Sequence, residues 1–168
     1  MRRVIKPEDI TDNVVKLIGE DWMLITAGPP SAYNTMTASW GGLGVIWNKP
    51  VCWCVIRPQR YTYEFMERAE TFTLSFFARH YRPALELCGS RSGRDIDKAA
   101  ATGLTPVGGT LPWTTYFAEA RLVLACRKLY FHDIDPSHFV DASLDENYPA
   151  RDYHRMYFGE IAEVSAKD

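Results

Sequence analysis

Strand-forming runs recur at short spacing along this chain, and the few helical segments between them follow no regular strand–helix alternation. That pattern favours a mainly β fold, a β-barrel with helical insertions, over a doubly wound parallel sheet. Residues 22–27 (WMLITA) read as a strand closed by the turn-rich Gly28-Pro29-Pro30-Ser31. Residues 35–46 are β-prone at both ends but carry Gly41, Gly42 and Gly44, which suggests a bend or a backbone that something approaches closely. The continuous apolar run at 51–56 fits a strand buried on both sides, and Arg57-Pro58 stops it. Further strands are expected at 71–77, 119–131 and 153–164. Helices are expected at 62–69, with Thr62 as N-cap, and at 82–87. A third is expected at 96–102, opened by a capping box at Ser92-x-x-Asp95 and ended by Gly103. The polar segment 133–152, with Pro136 and Pro149, reads as a loop or lid.

A length of 168 residues suits one domain over 1–168. Hydrophobic residues at 46% and charged residues at 24% exclude a mainly disordered chain. The net charge of −2 implies no general attraction to nucleic acid or to an acidic membrane, although a local basic cluster still suits one small anion. Cys52, Cys54, Cys88 and Cys126 form no C-x-x-C pair, so they read as reduced thiols packed as small apolar groups. Residues 1–19 lack the apolar run of a signal peptide, and nowhere do about 18 consecutive apolar residues occur. A soluble, cytoplasmic protein is expected. No G-x-G-x-x-G or Walker pattern appears, and the histidines show no metal-site spacing.

Four stretches carry chemistry. Asn34-Thr35-Met36-Thr37-Ala38-Ser39-Trp40-Gly41-Gly42 is rich in small hydroxyl residues, and such a backbone offers N–H and C=O groups to a planar ligand. On its own it reads equally as a bulge with an ordinary Thr/Ser face. Arg57-Pro58-Gln59-Arg60-Tyr61-Thr62 places two arginines and a hydroxyl at a strand end just before a helix, where N–H groups favour phosphate. Two solvated arginines on a turn are the alternative. Lys98, one turn into its expected helix, suits a phosphate as a point charge, or else pairs on the surface with Asp95 or Asp97. His154 on the last strand is a hydrogen-bond donor to a ligand or a structural histidine.

In their order along the chain, these stretches resemble the flavin-reductase-like family, flavoredoxin-type members most closely. The matching pieces are 34–42 (NTMTASWGG), 57–67 (RPQRYTYEFME), 71–74, 92–106 (SGRDIDKAAATGLTP) and 154–161 (HRMYFGEI). The resemblance implies an FMN-binding split β-barrel that forms a homodimer with the flavin near its interface. It implies that Asn34, Thr35, Met36, Thr37, Ala38, Ser39 and Trp40 surround the flavin ring. Arg57, Arg60, Thr62 and Lys98 then take the phosphate side with Tyr61 nearby, and His154 matches a family histidine implicated in binding FMN. The implied activity is that of a flavin reductase or flavoredoxin-like oxidoreductase, passing electrons from NAD(P)H through FMN to a flavin or a protein partner. A non-enzymatic FMN-binding electron carrier reduced by a partner protein is the alternative. Residues 133–152 are longer than the equivalent in short family members, which puts any inherited substrate in doubt.

Overall fold

The computed structural model describes residues 2–167. In chain order its elements are β1 (Arg2–Ile5), a single helical turn α1 (Val14–Lys16), β2 (Met23–Ala27), β3 (Asn34–Ala38), β4 (Gly41–Ile46) and β5 (Lys49–Ile56). They continue through α2 (Tyr61–Arg68), β6 (Thr71–Phe76), α3 (Arg82–Ser90), α4 (Lys98–Thr102), β7 (Pro106–Gly108), β8 (Thr115–Phe117), β9 (Leu122–Asp133) and β10 (Arg155–Lys167). Eight strands form one antiparallel sheet in the order β3-β2-β6-β9-β10-β5-β4, with β1 also on β10, while β7 and β8 form a separate ribbon. The mainly β architecture with helical insertions is therefore as expected.

The 13-residue β10 organises the sheet. Arg155 to Glu160 pair with β5, Val164 to Lys167 pair with β1, and almost the whole strand pairs with β9. Two register shifts in the β9 pairing, at Phe158/Gly159 and Ile161/Glu163, mark bulges that bend the strand. Gly159 has a packing reason: a Cβ there would collide with the ring of Phe72, which is fully buried. Filling that space with an aromatic ring contributes roughly 1.5–3 kcal/mol of burial.

Why some strands read as continuous apolar runs is plain from the two cores they separate. On β2, Met23, Ile25 and Ala27 join the main core with Phe72, Leu74 and Leu124, whereas Leu24 turns to a second cluster with Leu85, Cys88 and Phe117. Both faces are covered, so every β2 and β6 residue is buried. All four cysteines are free and buried, as expected, and Cys52 Sγ lies 3.4 Å from Cys126 Sγ. Burial pushes the Cys54 and Cys126 thiols upward and holds them protonated.

Some expectations need correction. Thr62 is not the N-cap of α2; Arg60 is, without a side-chain cap bond, and the Thr62 hydroxyl accepts from Asn34 instead. The Ser92/Asp95 capping box does not form either, because Ser92 Oγ accepts from the Arg94 N–H in a local turn. Helix α4 begins only at Lys98, where the Asp97 side chain caps the Ala100 N–H, so Lys98 sits at the first helical position and not one turn in. Gly103 ends α4 in the left-handed conformation, as expected. The segment after β9 holds two 3-10 turns, Pro136–His138 and Ala142–Asn147, capped by Asp135 and Asp141. Among the described residues, no helix is long and apolar enough to cross a membrane.

Candidate functional site

β3 enters the site between two helices, and side chains fix it to both. Asn34 Nδ2 donates to Thr62 Oγ1 at 2.8 Å, tying β3 to the first turn of α2. Lys98 Nζ donates to Thr35 O and to Cys88 O, both at 2.7 Å, tying β3 to the end of α3. Arg60 Nη2 donates to Gly89 O at 2.9 Å, closing the same corner from α2. Gly93 completes the wall, since a Cβ there would collide with Asn34 Oδ1. These ties enclose a cleft of about 210 Å³.

Six sequence-predicted residues line that cleft: Asn34, Met36, Arg60, Tyr61, Thr62 and Lys98. Gln59 and residues 90–94 line it too, adding Arg91 and Arg94. Arg60, Arg91, Arg94 and Lys98 thus face one space with no acidic side chain among its lining. Arg94 pairs with Glu64 and lies over the Tyr61 ring, 4.5 Å from its centre. Lys98 is only 6% exposed, so the surface-lysine alternative is overturned. Burial, and secondarily Arg60, lowers its pKa to about 8, while Cys88 acts in the opposite direction. At neutral pH it remains mostly charged, with one N–H free of the two carbonyls. Arg91 and Arg94 carry a sequence signal that went unused: two arginines in a Ser/Gly turn beside Lys98.

The remaining predicted residues are elsewhere. Thr35 Oγ1 bonds Thr26 Oγ1 at 2.8 Å, Thr37 Oγ1 donates to Leu85 O, and Ala38 packs on the main core. Ser39 and Trp40 form the β3–β4 corner. The close approach expected at the glycines is the chain's own: a Cβ on Gly42 would collide with the Trp53 indole. Arg57 parts from Arg60, pairing with Asp152 at 2.8 Å and donating to Asn147 O at 2.9 Å. His154 is 8% exposed, with Nδ1 2.8 Å from the Tyr148 hydroxyl and its ring centre 5.1 Å from that of Trp40. Burial first, then Arg57, lowers the His154 pKa to about 4, so it is neutral at physiological pH. The predicted set is therefore dispersed: six residues line a cationic cleft, Trp40, Arg57 and His154 gather with Tyr148 at an aromatic corner, and Thr35, Thr37, Ala38 and Ser39 belong to neither.

A family model described as flavin reductase like domain matches residues 17–168, and the chain belongs to that family. Flavoredoxin of Desulfovibrio vulgaris (Miyazaki F) is similar in structure, with a TM-score of 0.70 at 23% identity over 98% of this chain and 78% of that one. An FMN-binding domain of a flavin reductases-like enzyme from Shewanella baltica OS155 gives a TM-score of 0.68 at 16% identity, covering 99% and 77% of the two chains. A split-barrel protein from Shewanella frigidimarina, assigned as a flavin reductase, gives 0.68 at 18% identity, covering 98% and 76%. No curated protein matches the sequence. The fold is the split β-barrel of these structures.

Proposed function

We propose that the protein binds FMN and acts as an oxidoreductase, passing electrons from NAD(P)H to a flavin or protein acceptor. The observation that carries this reading is the cationic cleft at the N-terminus of α2, in a chain of the flavin reductase-like family. A phosphate with nearly two negative charges suits Arg60, Arg94 and the third N–H of Lys98, together with the N-terminus of α2, whose cap residue makes no side-chain bond. Met36 and Trp40 offer apolar surface to a flat ring, Asn34 and Ser39 polar groups, and neutral His154 the ring nitrogen that Tyr148 does not occupy. When bound, FMN supplies the redox chemistry. The chain's residues then have three tasks: to hold the phosphate, to orient the ring and to shield one of its faces. Arg57, turned to Tyr148, serves the ring side in this reading, not the phosphate.

We further read the protein as a homodimer. Trp47, 52% exposed, and Tyr130, 47% exposed, lie with Phe158 in one aromatic stripe across β10, β9 and the β4–β5 turn, their centres 5.9–6.4 Å apart. An exposed apolar stripe of this kind favours a partner surface. A reducing, cytoplasmic setting agrees with the four free thiols.

The test is an absorption spectrum of the purified protein, followed by anaerobic addition of NADH or NADPH. Flavin bands at about 375 and 450 nm that bleach promptly are expected. Bands that bleach only with a chemical reductant would make the protein a carrier reduced by a partner. A protein that stays colourless after FMN is supplied would overturn the reading.

A further inference from the structure

Residues 134–153 are mostly exposed, yet Tyr148 within them is only 5% exposed. The Arg57 guanidinium stands 4.8 Å from its ring centre, and the Tyr153 ring 4.8 Å away on another side. The segment is tied down around it. Arg57 pairs with Asp152 and bonds Asn147 O, Gln59 donates to Asp152 at 2.6 Å, and the Ile134 N–H donates to His154 O at 3.0 Å. These contacts deliver one phenol to one imidazole, with the Tyr148 oxygen 2.8 Å from His154 Nδ1.

The direction of that bond follows from what each group can satisfy. A neutral imidazole has one donor and one acceptor nitrogen. Among the described residues, the Tyr148 hydroxyl has no second hydrogen-bond partner. Were Nδ1–H the donor, the buried hydroxyl proton would lack an acceptor, which costs more than an unused lone pair. With the phenol as donor, the phenol keeps only a weak unused lone pair, and the imidazole proton lies on Nε2, which is not among the enclosed unpartnered atoms and is left to meet a ligand. Of the charged groups facing the imidazole, Arg57 opposes a second positive charge and Asp152 favours one; burial outweighs both.

We propose that Tyr148 is a positioning residue for His154: donating its hydroxyl proton to Nδ1, it fixes the imidazole beside Trp40 as the Nε2–H tautomer. His154 then meets a ligand as a neutral donor, suited to the carbonyl and ring-nitrogen acceptors of a flavin's polar edge. The opposite tautomer presents a lone pair to those acceptors and repels them. The ligand rests on the FMN reading above; the tautomer is a property of the chain itself.

Ring ¹⁵N spectra of the full chain, free and with FMN, decide the matter at about pH 6–8, where imidazole charge and tautomer are distinguishable. The wild type is expected to show an unprotonated Nδ1 and a protonated Nε2 in both states. In Tyr148→Phe the two tautomers mix and the His154 pKa rises, because the bond that favours the neutral form is gone. FMN and riboflavin affinities fall by one common factor, about threefold to tenfold, the size of one neutral hydrogen bond. A protonated Nδ1 in the wild type overturns the proposal without any variant. An unchanged tautomer in Tyr148→Phe, or a loss confined to FMN, also overturns it. If the wild type takes up no FMN, the FMN reading fails, and the free-chain spectra alone decide for or against Tyr148.

Discussion

Lys98 spends two of its N–H groups on the carbonyls of Thr35 and Cys88, so it is a clip between β3 and α3 before it is a ligand for anything. Lys98→Ala is expected to act twice. It should weaken FMN about tenfold to a hundredfold, with a smaller effect on riboflavin, because a charge-assisted phosphate contact is worth about 1.5–3 kcal/mol. It should also lower the unfolding free energy of the ligand-free chain by about 1–3 kcal/mol, since two buried carbonyls lose their donor. Paired titrations with FMN and riboflavin, and urea unfolding, check the two halves. The sequence identified Lys98 by its charge and motif, but burial depends on what packs over it, and β3 arrives from a distant part of the chain. Arg57 shows a different limit. Three residues from Arg60, it looks like half of a pair, but the Arg60 N–H bonds Arg57 O at 3.0 Å in a turn that sends the two side chains to different surfaces.

At the scale of elements, hydrophobic pattern and stop signals made most of the barrel legible: β2, β5, β6, β9 and β10 lie within a few residues of expectation because each is long or flanked by clear breakers. The strands that escaped, β1, β7 and β8, have only three or four residues, too few for any period to show. The 134–153 segment escaped for another reason: its order comes from Arg57, Gln59 and His154, which belong to other elements, and not from its own composition. His154 also gives this segment an acid dependence. The unfolded chain protonates this imidazole at about pH 6.5, whereas the folded chain resists until about pH 4. The unfolded state therefore holds the extra proton between those values. This contribution to stability is full above pH ~6.5 and fades as the pH falls to ~4, by at most about 3 kcal/mol. Urea unfolding at about pH 7 and pH 4.5 should show the loss, and His154→Gln, which cannot titrate, should show a shallower one.

For the whole molecule, the stripe of Trp47, Tyr130 and Phe158 is a contiguous aromatic surface that a partner would cover in the proposed dimer. Tyr130→Asp is expected to convert the protein from a species of twice the chain mass to a single chain in light scattering, because a carboxylate at a contact centre stays unpaired when buried. A wild type that is already a single chain at micromolar concentration would remove the dimer. The same sheet has a consequence for how the molecule comes into being. β10 is made after the other strands of this sheet, yet it lies between β9 and β5 and carries β1 as well. Before it is in place, β4–β5 and β3-β2-β6-β9 are two separate ribbons, each with an unpaired inner edge. Arg2 pairs with Lys167, so the barrel cannot close while β10 is still in the ribosome exit tunnel. Folding of the sheet thus waits for β10, and its rate is limited by these distant pairings. Until then the nascent chain exposes the open edges that chaperones cover.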